Sequence, residues 1–262
     1  MDNTNLKKYQ NYLKLRGLKN ITIKNYLWHV TKFLLWQAKQ SPQKISTAKY
    51  QSLQLKTKKN IGSLNLHFTI LNDYLKFIKN RSQFKLLSRP FIPKKVLSPT
   101  ELDHFFKVLS NKEDLLAQRD RLLIEVLYYS GLKVSSITQL KLKEIDNVKK
   151  EFKTPENTIN IDPIVWSHLQ KYLKFRHDLN PYLFINHDRS QKSNKEYLSV
   201  RSVERIIDKY ARQLKPPLVI NPQILRHTLA WQIKHNGGQA KDLQKNLNLT
   251  SKAATKKYWQ VL

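Results

Sequence analysis

The stretch Leu87-Ser88-Arg89-Pro90-Phe91-Ile92-Pro93-Lys94-Lys95-Val96-Leu97-Ser98-Pro99-Thr100-Glu101-Leu102 decides how this chain is divided. Pro90 and Pro93 cannot sit inside a continuing helix, because each lacks an amide hydrogen and its ring clashes with the preceding turn. Residues 87–96 therefore read as a linker. Ser98 then offers an N-cap, Pro99 the first helical position and Glu101 the reciprocal arm of a capping box, so a second unit starts there. The expected division is 1–86, linker 87–96 and 97–262.

On the N-terminal side, residues 1–90 hold 18 Lys and Arg against only Asp2 and Asp73, a balance of +16. Apolar residues there recur at helical spacing: Ile23, Tyr26, Leu27, Val30, Phe33 and Leu34 form one stripe, and Ile61, Leu64, Phe68, Leu71, Leu75 and Ile78 another. With shorter helices over Leu6–Leu15 and Ser46–Leu55, this predicts a bundle of four.

On the C-terminal side, Arg121–Tyr129 reads as an apolar helix ended by Gly131, and Ser135–Leu140 as a shorter one. Val148–Phe152 and Thr158–Ile161 read as strands around a loop at 153–157. Helices are expected over Pro163–Phe175, Val200–Leu214, Leu225–Lys234, Ala240–Leu247 and Lys252–Tyr258. The class is mainly α with a small antiparallel sheet.

The whole chain carries 48 Lys and Arg against 19 Asp and Glu, a formal charge of +29, beyond what solubility asks of 262 residues. A lysine-rich composition explains part of it, since 37 of the 48 are Lys, but not the concentration in the first third. A polyanionic partner is expected, and nucleic acid fits because Lys and Arg on phosphates release counterions. No stretch approaches the roughly 20 apolar residues of a spanning helix, and no charged-then-apolar leader opens the chain. A cytoplasmic protein without membrane contact is expected. The absence of cysteine excludes disulfides and thiolate ligands, and the 8 His show no metal-ligand spacing, so neither metal nor cofactor is expected.

Several segments, in order, resemble the tyrosine recombinases, or phage integrases, and among them the Xer recombinases. Arg119-Asp120-Arg121 leading through Leu127-Tyr128-Tyr129-Ser130-Gly131-Leu132-Lys133-Val134-Ser135 resembles the first box of that family, and Leu140 through Glu144-Ile145-Asp146 its sequel. Leu225-Arg226-His227-Thr228 resembles the second box. His235-Asn236-Gly237-Gly238, Leu243-Gln244, Leu247 and Thr255 then lead at family-like spacing to Tyr258. The resemblance implies a four-helix, SAM-like core-binding domain that clamps duplex DNA, followed by a catalytic-type domain.

It also implies a chemistry: a tyrosine hydroxyl attacks a phosphodiester, leaving a 3′-phosphotyrosine and a 5′-hydroxyl, with neither ATP nor metal. Two arginines suit the charge that builds on the non-bridging oxygens. A hairpin lysine protonates the leaving oxygen and histidines assist. Carried over, Tyr258 matches the nucleophile and Arg226 the second arginine. Lys133 replaces the first arginine, keeping charge but losing the bidentate fork. Gln223 replaces a histidine and cannot exchange protons near neutral pH, and Leu249 replaces a histidine or tryptophan and offers no donor. The hairpin lysine is Lys153, with Lys149 and Lys150 as alternatives. Lys24, Lys56, Lys58, Lys59 and His227 are candidate DNA contacts.

Each residue also has a purely structural reading: Tyr258 as a helix-packing aromatic, Arg226 as a phosphate ligand, Lys133 and Lys153 as solvated lysines. Three functions stay open: a working recombinase, a catalytically silent accessory or architectural DNA-binding protein, and, from another class, a basic RNA-binding protein. On DNA, self-association or pairing with a related recombinase is expected.

Overall fold

The computed structural model describes residues 3–40, 46–57, 60–90, 92–110, 114–154, 158–187, 197–247, 249 and 251–260. The chain divides into two compact units, Met1–Phe91 and Ile92–Leu262.

The first unit holds α1 (Asn3–Leu15), α2 (Asn20–Gln37), α3 (Thr47–Leu55) and α4 (Ile61–Phe77). Ser46 caps α3 by accepting from the Lys49 amide, and Asn60 caps α4 by accepting from Ser63. The expected stripes meet in a core around Phe33, Tyr50, Phe68, Leu71 and Phe84. Each fully buried aromatic contributes about 1.5–3 kcal/mol relative to exposure. After α4 the chain runs extended, fastened by two asparagine amides. Asn72 accepts from the Phe84 amide at 2.7 Å and donates to its carbonyl at 3.0 Å. Asn65 does the same for Leu87, both at 2.8 Å. Asp73 is taken up internally, accepting from the Tyr9 hydroxyl at 2.7 Å and from Arg16 at 2.8 Å. One of this unit's two acids is thereby paired with a cation of the same unit.

The second unit begins with α5 (Pro99–Leu109), on which both arms of the capping box form: Ser98 Oγ accepts from the Glu101 amide and Glu101 Oε2 from the Ser98 amide. Then come α6 (Leu115–Ser130), α7 (Val134–Thr138), a 3₁₀ turn at Leu142–Glu144, β1 (Ile145–Asp146), β2 (Glu151–Lys153), β3 (Thr158–Asn160), α8 (Pro163–Phe175), α9 (Val200–Ala211), α10 (Pro222–His235), α11 (Ala240–Asn246) and α12 (Lys252–Gln260). The sheet is antiparallel in the order β1-β2-β3, with Ile145 opposite Phe152 and Lys153 opposite Thr158. Helix α6 is buried along most of its length, and α8 and α10 pack on it.

Several boundaries differ from expectation. The first long strand was expected over Val148–Phe152, but Val148 lies 91% exposed in a turn and the strand is Glu151–Lys153. Asp146 Oδ1 accepts from the amides of Val148 (3.0 Å) and Lys149 (2.9 Å), an Asx turn that reverses the chain early. Lys153 consequently ends a strand rather than sitting in a loop. Helix α10 starts at Pro222 instead of Leu225, because Asn221 caps it by accepting from Ile224 at 2.9 Å.

Arg119 and Asp120 are buried and paired at 2.6 Å. The Ile185 carbonyl accepts from Arg119 at 3.1 Å, and the Tyr210 hydroxyl donates to Asp120 at 3.1 Å. The pair ties α6 to α9 from inside. Among the described residues no helix is long and apolar enough to cross a membrane.

Candidate active site

Arg226 lies on the first turns of α10 and is 6% exposed. Its Nη1 donates to the Gly131 carbonyl and its Nη2 to the Leu247 carbonyl at 2.5 Å. Both acceptors end helices: Gly131 is the C-cap of α6 and Leu247 that of α11. Terminal carbonyls have no partner within their own helix and carry the negative end of its dipole, so they suit a buried cation. No carboxylate pairs with this guanidinium among the described residues, so its charge remains available to an anion. Burial pushes its pKa down, opposed by the nearby Tyr258.

The cradle depends on Gly131. Its φ is +58°, and a Cβ there would stand 2.7 Å from the Asn246 carbonyl oxygen and 2.7 Å from Leu247 Cδ2. Only glycine combines the left-handed turn with this close approach.

Tyr258 lies on α12, its ring packed against Ala230, Leu243 and Leu247. Its hydroxyl is buried with no hydrogen-bond partner of normal geometry among the described residues. Burial pushes the phenol up to about 12, with the Arg226 cation pulling the other way. The group is a neutral phenol near neutral pH. The His227 ring meets the Tyr258 ring edge-on, centroids 5.6 Å apart at 61°.

His227, expected on DNA, is 6% exposed, and its Nε2 lies 2.8 Å from Gln223 Nε2. Burial, then the charge of Lys94, push its pKa down to about 4. Gln223 itself is exposed on the first turn of α10. Leu249 is half-buried on the same apolar cluster as Tyr258. Lys133 is exposed at the N-cap of α7, two residues beyond the Gly131 carbonyl.

Tyr258, Arg226, His227, Gln223 and Leu249 are thus brought together, with Lys133 on the adjoining turn. Lys153 has a partner of its own: its ammonium pairs with Asp146 Oδ2 at 2.7 Å. The Lys149 amide and the Lys153 ammonium hold the Asp146 carboxyl down at about 2, and Asp146 in turn raises the Lys153 pKa. In the first unit Lys24 is exposed on α2 beside Trp28, and Lys56 is exposed at the C-cap of α3. Lys58 and Lys59 lie outside the described residues. Among the described residues no group of three or more His, Asp or Glu could hold a metal ion.

Residues 95–262 match the Phage integrase family. Over 98% of its length the chain is 30% identical to the tyrosine recombinase XerA of Pyrococcus horikoshii, covering 88% of that protein. The chain belongs to the phage integrase family. A second relative of this integrase, XerA of Pyrococcus furiosus, is 31% identical over 98% of the chain and 89% of the relative. Its fold is that of the tyrosine recombinases. The Tn1549 transposon integrase, solved with circular intermediate DNA, superposes with a TM-score of 0.76 at 17% identity over 97% of this chain and 94% of that one.

Three features around the candidate residues carry no signal in the sequence. Gly131 was read as a helix end, which it is, but its carbonyl's second role depends on a residue 95 positions away. The Leu247 carbonyl carries no side-chain signal at all. Asp146 belonged to the sequel of the first box, yet its pairing with Lys153 follows from a three-stranded register that its two-residue strand could not announce.

Proposed function

We propose that this phage-integrase family member binds duplex DNA and cuts one strand slowly through Tyr258, with Arg226 on the non-bridging phosphate oxygens. Tyr258 Oη bonds to phosphorus, the bond to the 5′-oxygen breaks, the phenolic proton is lost to solvent and the 5′-oxygen takes one up. The observation that carries the reading is a buried guanidinium without a carboxylate partner beside a buried tyrosine hydroxyl without a partner of normal geometry, both among the described residues. The guanidinium faces the hydroxyl and two carbonyls but, among the described residues, no counter-charge, which is costly in a folded protein, and a phosphate supplies one.

Lys133 supplies charge without a bidentate fork, and neither Gln223 nor Leu249 exchanges protons. Losing one preorganised donor costs about 10² to 10³ in rate, so slow turnover is expected. Lys153 serves as the general acid once it leaves Asp146. The first unit acts as the core-binding clamp, with Lys24, Lys56, Lys58 and Lys59 on phosphates, and the second as the catalytic-type domain. Copies of the chain, or a related recombinase, assemble on the DNA in the cytoplasm.

A second reading, a silent accessory DNA-binding protein, is favoured by the apolar side chain at Leu249 and by the internal pairing of Lys153. One experiment separates them. Duplexes selected for binding from a random library are rebuilt as nicked suicide substrates, incubated with the chain and run on denaturing gels. The first reading expects a covalent adduct that Tyr258→Phe and Arg226→Ala abolish. Verified binding without adduct leaves the accessory reading.

A further inference from the structure

Gln223 and His227 are explained neither by the phosphate chemistry nor by core packing. An amide nitrogen only donates, so Gln223 Nε2, 2.8 Å from His227 Nε2, makes that ring nitrogen the acceptor and puts the ring proton on Nδ1. Nδ1 is buried and lies towards the backbone of Lys95 without normal hydrogen-bond geometry. The next residue, Thr228, accepts from the Leu97 amide at 2.9 Å and donates to the Ile224 carbonyl at 2.9 Å. The segment that leads into the second unit is therefore fastened to the residues directly following Arg226.

We infer that His227 is a positioning residue for Tyr258: Gln223 clamps the imidazole, and the imidazole edge sets the tilt of the phenol ring beside Arg226. The segment Lys95–Leu97 braces this clamp from the other side. The inference rests on Tyr258 being the nucleophile. It gives Gln223 a task unlike that of the histidine it replaces, because Gln223 acts through His227 and not on the phosphate. Attack needs the reacting atoms aligned, and a misplacement of about 1 Å can cost about 10² in rate.

Three full-length variants test it. Gln223→Ala removes the clamp from an exposed position, His227→Phe keeps a ring but removes both nitrogens, and Lys107→Gln, in an exposed ion pair on α5, is a control. Each is measured for duplex affinity, for the rate of adduct formation at saturating suicide substrate, and for the ¹⁹F resonance of 3-fluorotyrosine placed at position 258. Gln223→Ala and His227→Phe should hold affinity within about twofold, slow adduct formation about tenfold or more, and shift or broaden the resonance. Lys107→Gln should change none of the three. Should His227→Phe fail to fold, Gln223→Ala decides alone. A resonance and rate unchanged in the clamp variants overturn the inference. If the parent forms no adduct while the resonance still responds, the nucleophile reading fails and the positioning geometry stands.

Discussion

Replacing Gly131 by alanine probes the cradle that holds Arg226. The new Cβ would meet the Asn246 carbonyl oxygen and Leu247 Cδ2 at 2.7 Å each, and the residue would be held at φ +58°. Left-handed backbone costs a non-glycine residue about 1–2 kcal/mol. Forcing a methyl into a packed junction costs roughly a further 1–3 kcal/mol. A loss of about 2–5 kcal/mol is expected, which in a unit of this size lowers the melting midpoint by roughly 4–20 °C. Relief of the clash must separate the α6 C-terminus from that of α11, and these ends supply both carbonyls that hold Arg226. DNA cleavage should therefore fall further than stability alone predicts, measured well below the new midpoint. Urea denaturation and adduct formation on one preparation give both numbers. A destabilisation under about 1 kcal/mol with unchanged adduct formation would refute the close approach argued for Gly131.

Lys153→Ala should suppress cleavage of an ordinary phosphodiester and be rescued by a 5′-bridging sulfur, whose thiolate leaves without a proton; rescue of Lys149→Ala or Lys150→Ala instead would move the general acid there. Lys133→Arg restores the bidentate fork and should raise the rate of adduct formation about tenfold or more in single-turnover assays. His227 has a folded pKa of about 4 against an ordinary 6.5, so the unfolded chain takes up the proton first and stability is lost as pH falls from 6.5 towards 4. The loss is on the order of 2–3 kcal/mol, and His227→Phe should flatten it in urea titrations at pH 7 and 4.5. Changing Lys56, Lys58 and Lys59 together to Glu should reduce the slope of log affinity against log salt by about 0.9 for each phosphate no longer neutralised. An unchanged slope would move the DNA path away from this part of the first unit.

Local signals were the legible ones. Ser98, Pro99 and Glu101 satisfy each other within one turn, so the capping box could be read directly and formed as expected. Arg226 and Tyr258 could be singled out because their motifs keep order and spacing along the chain, and the fold brings the two together. Val148 misled because alternation is a weak signal over a few residues, and the Asx turn at Asp146 outweighed it. Asn221-Pro222 was a readable helix start that the apolar pattern beginning at Ile224 obscured. His227 was expected to contact DNA, whereas it is buried where α12 packs on α10. Backbone acceptors such as Gly131 and Leu247 leave no trace in residue type.

The most direct test is mass spectrometry of protein trapped on a bound suicide duplex and digested with protease and nuclease. A phosphonucleotide on the peptide containing Tyr258, absent from Arg226→Ala, is the predicted result. A bound duplex that yields only unmodified Tyr258 peptide, or an adduct on another residue, would contradict the account.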